Sequence, residues 1–517
     1  MHSPNRDWRK SIQWLIVLSL VCLFGQLSAS ACALAAGRQR LTRDPLDRHQ
    51  QQHAENHARF VKTLDSLAAT CAEKNLDEAV VTVRSFAVPV ESDLTRIMVL
   101  PEAMQPEIPS TLPADDRFWR LKLQQARQSY AKDLYLLSQR AVRTGHFSYA
   151  YQLIREITHF DPDHKIARQL LGYVRQRREW VTPFSREMER RKRVWHDKFG
   201  WLPAAHVERY ENGERQYRGR WISAEKDAAL RRDFANAWQI RTEHYLVKTN
   251  HSLERGVEVA KLLETYHDFC VQMFAAFFHS PEQLQRLFNG RGKVLSRNKP
   301  YDVHYYRTQD EYNERLRTKI PLIEYTNGLY YTTDRTAYFF DKPDESTDHV
   351  LYHEATHQLF YESSPRDRKI AEKSHFWVVE GVSCYVESFR LQDGVYSLGD
   401  PDFDRFRAAR FRLLNDGFYI PLERFASMGH GEFQSDSRNL AKRYSQAAGL
   451  SHFFMQYDGG RYRDAFIEYL SQLYRVSPTR NSRTKSLQTL TGVSHAELDG
   501  QYAEYLKQME RSVAGAQ

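Results

Sequence analysis

Apolar residues recur every third or fourth position over LERGVEVAKLLETYHDFCVQMFAAFF (253–278), the period of a long helix buried on one side. Three stretches around it alternate instead: EHYLVKTN (243–250), KPYDVHYYRT (299–308) and TAYFFD (336–341), rich in Tyr and Phe. These predict strands. Two further helices follow at HVLYHEATHQLFYES (349–363) and HFWVVEGVSCYVES (375–388), and the chain then stays mostly helical. Strands followed by helices predict an α+β domain over 239–515. Upstream, helical periodicity runs from Arg117 to about Trp238, including the basic stretches VRQRREW (174–180) and REMERRKRVW (186–195). Before that, AVVTVRSFAVPV (79–90) predicts a strand, and four prolines in LPEAMQPEIPSTLPADD (100–116) predict a linker closing a polar segment, 37–116.

The first 36 residues differ from the rest. Arg6, Arg9 and Lys10 precede an apolar run from Ile12 to Leu27, and small residues follow in SASACALAAG. Basic, apolar, small is the order of a secretory signal peptide, here 1–36. The run is short for a permanent span, so the expectation is export to the periplasm, envelope or exterior with no membrane span beyond the signal. Ala29 stands where a lipobox carries Leu, which disfavours a lipid anchor on Cys32.

At 517 residues the chain is too long for one core. With 41% hydrophobic residues it is globular rather than disordered. The net charge of +9 is spread over helical faces, and no nucleic-acid module signature accompanies it, so no nucleic-acid partner is expected. Five cysteines without paired spacing do not make a disulfide framework.

The chemistry concentrates at His353, Glu354 and His357. On a helix the two histidines are i and i+4, one turn apart on one face, which lets two imidazoles grip one ion. Glu354 lies beside them, placed to take a proton from water activated at the metal. A catalytic zinc needs a third ligand, and Glu380 lies on the next helix, sharing a face with Cys384 and Glu387. Cys384 as a fourth ligand would close the site and make it structural. Glu387 is either a carboxylate orienting a ligand histidine or an exposed charge. His349 drifts too far round the helix to complete a tetrahedron, His375 reads as a rim residue, and His452 as a satisfied helix histidine.

Residues 131–164 resemble a tetratricopeptide repeat: Leu137 and Ser138 take its first-helix positions, Gly145 its turn, Ala150 its second helix and Pro162 its end. Leu171-Gly172 fall where a next copy wants Leu-Gly, but that copy degenerates. The helical region 117–238 is thereby available to a protein partner.

HEATHQLFYE together with WVVEGVSCYVE resembles the gluzincin metallopeptidases, closest to a bacterial family of peptidase-MA-like domains, over about residues 240–475. The resemblance implies one zinc ion on His353, His357 and Glu380, Glu354 as general base, and Tyr444 as the group that stabilises the oxyanion. Two departures stand out. Val379 replaces the Asn that often precedes the third ligand, and YTNGLYYT (325–332) lacks the glutamate with which aminopeptidases hold a substrate amino terminus. The expected activity is an exported zinc endopeptidase with a peptide or protein substrate. The alternatives are a binding protein on a retired metallopeptidase scaffold, and a zinc hydrolase of a non-peptide bond.

Overall fold

The computed structural model describes residues 44–90, 96–98, 104–292, 299–343, 346–363, 370–392, 395–475 and 485–516. Residues 1–36, where the sequence predicts a signal peptide, lie outside them together with Cys22 and Cys32. Contacts divide the chain between Gln51 and Gln52. Residues 44–51 carry the start of a helix, Pro45–Glu73, and all that follows concerns the unit from Gln52 onward.

The architecture is α+β. Residues 79–85 are helical, not a strand: the helix Asp77–Ser85 opens on Asp77 and Glu78, and Ala79 and Val83, four apart, are its buried pair. Two acids at a helix start favour that end of the dipole, and a one-sided period of four overrides the β preference of Val-Val-Thr-Val.

Helices α1 (Ala114–Arg143) and α2 (Phe147–Phe160) form the hairpin the repeat-like stretch predicts. Leu137, Ser138 and Ala150 are buried between its arms, and Gly145 makes the turn at φ 84°. Helical periodicity then misleads. After a six-residue helix, Lys165–Leu170, the chain folds into three two-stranded hairpins: β1 (Val174–Gln176) with β2 (Glu179–Val181), β3 (Arg193–His196) with β4 (Gly200–Pro203), and β5 (Glu214–Tyr217) with β6 (Arg220–Ser223). Short helices separate them, the first capped by Thr182, and another capped by Ser223 follows the third hairpin. Trp180, Trp201 and Trp221 hold the same place in the second strand of each hairpin, 21 and 20 residues apart, and Gly172, Lys192 and Gly213 adopt positive φ before each first strand. The segment is a helix–hairpin repeat, a 20-residue period hidden by its dense Arg and Glu.

The main sheet contains β7 (Trp238–Arg241), β8 (Tyr245–Thr249), β9 (Tyr301–Tyr306), β10 (Gly328–Tyr331) and β11 (Thr336–Phe340), in the order β10-β11-β9-β8-β7. β9 runs parallel to both β8 and β11, and the two edge strands are antiparallel to their neighbours. Helix α3 (Leu253–Met273) forms the crossover from β8 to β9 and packs on the sheet. Helix α4 (Asp348–Ser363) lies against β10 and β11, burying Leu351, Tyr352, Ala355, Leu359 and Phe360. Gly328 permits that approach, since a Cβ there would sit 2.7 Å from Val350 Cγ1. Helix α5 (Phe376–Val386) packs along α4 and, more closely, along α6 (Leu440–Gly460). At their crossing a Cβ on Gly381 would meet Ser451 Oγ at 2.5 Å and Ala447 O at 2.6 Å. Small residues bring the two backbones together and fix where Glu380 and Tyr444 stand. Among the described residues, no helix is long and apolar enough to cross a membrane.

Candidate metal centre

The apolar side of α4 faces the sheet, which turns His353 and His357 toward α5. His353 Nε2 and His357 Nε2 lie 3.1 Å apart. Glu380 Oε2 reaches to 3.6 Å from the first and 3.8 Å from the second. Donors on a tetrahedral ion at 2.0–2.1 Å bond length are separated by about 3.4 Å, so the three atoms are spaced to hold one ion with little movement. The residues therefore form a group able to hold a metal, two nitrogens and a carboxylate oxygen, the donor set that suits zinc.

Both histidines are themselves held. His353 Nδ1 pairs with Glu387 Oε1 at 2.8 Å, and Arg405 clamps the same carboxylate with Nε at 2.9 Å and a terminal nitrogen at 3.0 Å. Glu387 is 3% exposed, which excludes the surface-charge reading. Burial opposes its ionisation, but His353 and Arg405 outweigh that and bring its pKa down to about 2. Ser383 Oγ approaches His357 Nδ1 at 3.4 Å. Burial disfavours a charged His353, yet Cys384, Glu380 and Glu387 around it raise its pKa well above the ordinary value. For His357 burial prevails and the pKa is lowered. Burial also works against the Glu380 carboxylate, and the two histidines more than offset it, holding its pKa below the usual range.

Glu354 projects beside the cluster toward the edge strand, where the Tyr330 N–H donates to its Oε2 at 2.7 Å. Tyr444 lies near Glu380, Cys384 and His353. Its hydroxyl accepts from Gln434 Nε2 at 3.3 Å, and burial, reinforced by the charge on Glu380, raises its pKa strongly, so it stays a neutral donor. Cys384 is buried and also within reach of His353 and Glu387 as a second group, but burial raises its thiol pKa and favours the protonated form. His349 joins neither group. His375 is turned away, bonded through Nδ1 to Tyr469, and His452 is fixed between Gly399 O at 2.9 Å and the Tyr505 hydroxyl at 2.8 Å. Arg405, Ser383 and the amide of Tyr330 are participants that the sequence did not single out. Arg405 is too far along the chain to be linked to His353 by any spacing, and the Tyr330 amide carries no side-chain signal at all.

A comparison with curated proteins finds no match for the chain. A family model described as a protein of unknown function, DUF1570, matches residues 349–480, the segment that carries His353, Glu354, His357, Glu380 and Tyr444.

Proposed function

We propose that the chain is a zinc-dependent peptidase of the gluzincin kind that cuts within peptide chains, exported by its first 36 residues. The observation that carries this is the convergence of His353, His357 and Glu380 on one ion-sized space with Glu354 held beside it. A zinc ion bound there would polarise both the attacking water and the scissile carbonyl. Glu354 takes the proton of that water as it attacks and returns it to the leaving amine. With Oε2 engaged by the Tyr330 amide, Oε1 is the oxygen left for proton transfer. Tyr444 donates its hydroxyl hydrogen to the developing oxyanion. Glu387 and Arg405 keep the His353 ring turned so that Nε2 presents its lone pair. The lack of a glutamate in 325–332 to hold a substrate amino terminus supports action away from chain ends.

The test is Glu354→Gln, which keeps size and leaves the three ligands intact. Zinc content should equal wild type, while cleavage of a mixed peptide library falls on the order of 10²–10⁴-fold. Cleavage at the wild-type rate, or a zinc-loaded wild type that cuts no peptide, would overturn the reading.

A further inference from the structure

A second cluster of metal-binding side chains lies away from the first. His244 sits in the turn between β7 and β8, and His267 and Asp268 lie on α3. Each offers one ligand atom, and the three atoms lie within 4.8 Å of one another. His244 is tightly positioned: its Nδ1 pairs with Glu264 Oε2 at 2.7 Å, and its backbone N–H donates to Glu264 Oε1 at 2.6 Å. A carboxylate on one imidazole nitrogen fixes the tautomer and turns the other nitrogen outward as a ligand, the arrangement Glu387 gives His353. The His267 ring stacks on His244 with centroids 3.6 Å apart and planes at 18°. Two stacked imidazoles cannot both point at one ion, so ligation requires one ring to turn. His267 is that ring, because its Nδ1 is held loosely, by Asp268 at 3.5 Å.

The cluster also has somewhere to face. His244, His267 and Asp268 line a cavity of about 350 Å3 whose far wall comes from the helical hairpin side, at Tyr151, Gly172 and Pro183. Gln272 lines the same cavity, and its Oε1 is buried with no hydrogen-bond partner. A buried acceptor left unpaired costs free energy unless something arrives to satisfy it. Three protein ligands opening on a cavity describe a site with a free coordination position, not a closed structural one.

We propose that His244, His267 and Asp268 form a second site for a late first-row divalent cation, open to this cavity. Two imidazoles and one carboxylate favour zinc or cobalt over magnesium or calcium. The site stands independently of the centre at His353.

The experiment counts zinc in the purified full chain after loading and removal of loose metal on a chelating column. Wild type should retain two ions, and His267→Gln and Asp268→Asn one each, with melting curves like wild type since the His244–Glu264 pair is untouched. A chain carrying His353→Ala and His357→Ala should retain one. Loaded with cobalt, that double variant should show the visible absorption of a nitrogen-ligated ion, and adding His267→Gln should abolish it. The proposal is overturned if wild type retains a single zinc that His267→Gln keeps, or if the His353→Ala/His357→Ala chain shows no cobalt band. The latter result does not depend on how well His267→Gln folds. A wild type that holds one zinc, lost in His267→Gln but kept without His353 and His357, would support this site and sink the other.

Discussion

His353 Nδ1 and Glu387 Oε1 stand 2.8 Å apart across two helices, and Arg405 closes the chain of contacts from a third. With the proton on Nδ1, His353 donates to the carboxylate and keeps Nε2 as a lone-pair donor. Glu387→Gln removes the charge and keeps the size. Losing a partner of this kind weakens metal binding about 10–100-fold. Competition for zinc against a chromophoric chelator measures it, and an unchanged affinity would reduce Glu387 to the partner of Arg405 alone.

Tyr444 makes a prediction about pH as well as rate. Burial and the nearby Glu380 charge raise its pKa far above that of a free tyrosine. The protonated, hydrogen-donating form therefore persists through the alkaline range in which an ordinary tyrosine would ionise. Tyr444→Phe should keep zinc and slow peptide turnover by about 10²-fold or more, the cost of one oxyanion donor. The alkaline limb of the rate profile should be the same in both proteins. If that limb disappeared in Tyr444→Phe, the tyrosine would be titrating in the working range and the account of its environment would be wrong.

The close crossing of α5 and α6 rests on Gly381. Adding one methyl group drives it against Ser451 Oγ and the Ala447 carbonyl. The carbonyl cannot yield without moving the helix that carries Tyr444. Overpacking of this sort costs about 1–3 kcal/mol. Gly381→Ala should lower the melting temperature and weaken zinc retention, since Glu380 is the adjacent residue. Gly431→Ala, where a Cβ meets nothing within 4 Å, is the control and should melt like wild type.

The parts of this fold that were legible in the sequence are those whose logic is local. His353, Glu354 and His357 declare themselves because one helical turn brings i and i+4 together, and Glu380 because the next apolar run is again a helix. The strands at 245–249 and 301–306 alternate cleanly. Arg405 and Ser383 were not legible, because their proximity to the histidines is created only when three helices pack. The edge strand Gly328–Tyr331 contributes a backbone N–H, which no residue type announces. The region 174–223 failed for another reason. Its Arg- and Glu-rich hairpins are short enough to satisfy a helical period by chance, while the signal that identifies them, a Trp every 20 or 21 residues, needs comparison over sixty residues rather than eleven.

That repeat carries the last prediction. Trp180 is 7% exposed, and its indole N–H donates to Asp163 Oδ1 at 2.8 Å, just beyond the end of α2. Beside it the buried Arg168 donates through Nε to Pro162 O at 2.7 Å, with its guanidinium carbon 6.0 Å from the indole. The first hairpin is thus fastened next to the helical pair by one aromatic side chain, through its hydrogen bond to Asp163 and its contact with the Arg168 guanidinium. Trp180→Phe keeps most of the apolar contact and leaves Asp163 without its indole donor, a cost of about 1–3 kcal/mol. Trp180→Ala also opens a cavity and should cost about 3–5 kcal/mol. The loss should be local before it is global: limited proteolysis of Trp180→Ala should cut first between 165 and 182, leaving the segment from Trp238 onward protected. Equal melting temperatures for wild type and Trp180→Ala would mean that the hairpin does not depend on this contact for its place against the helices.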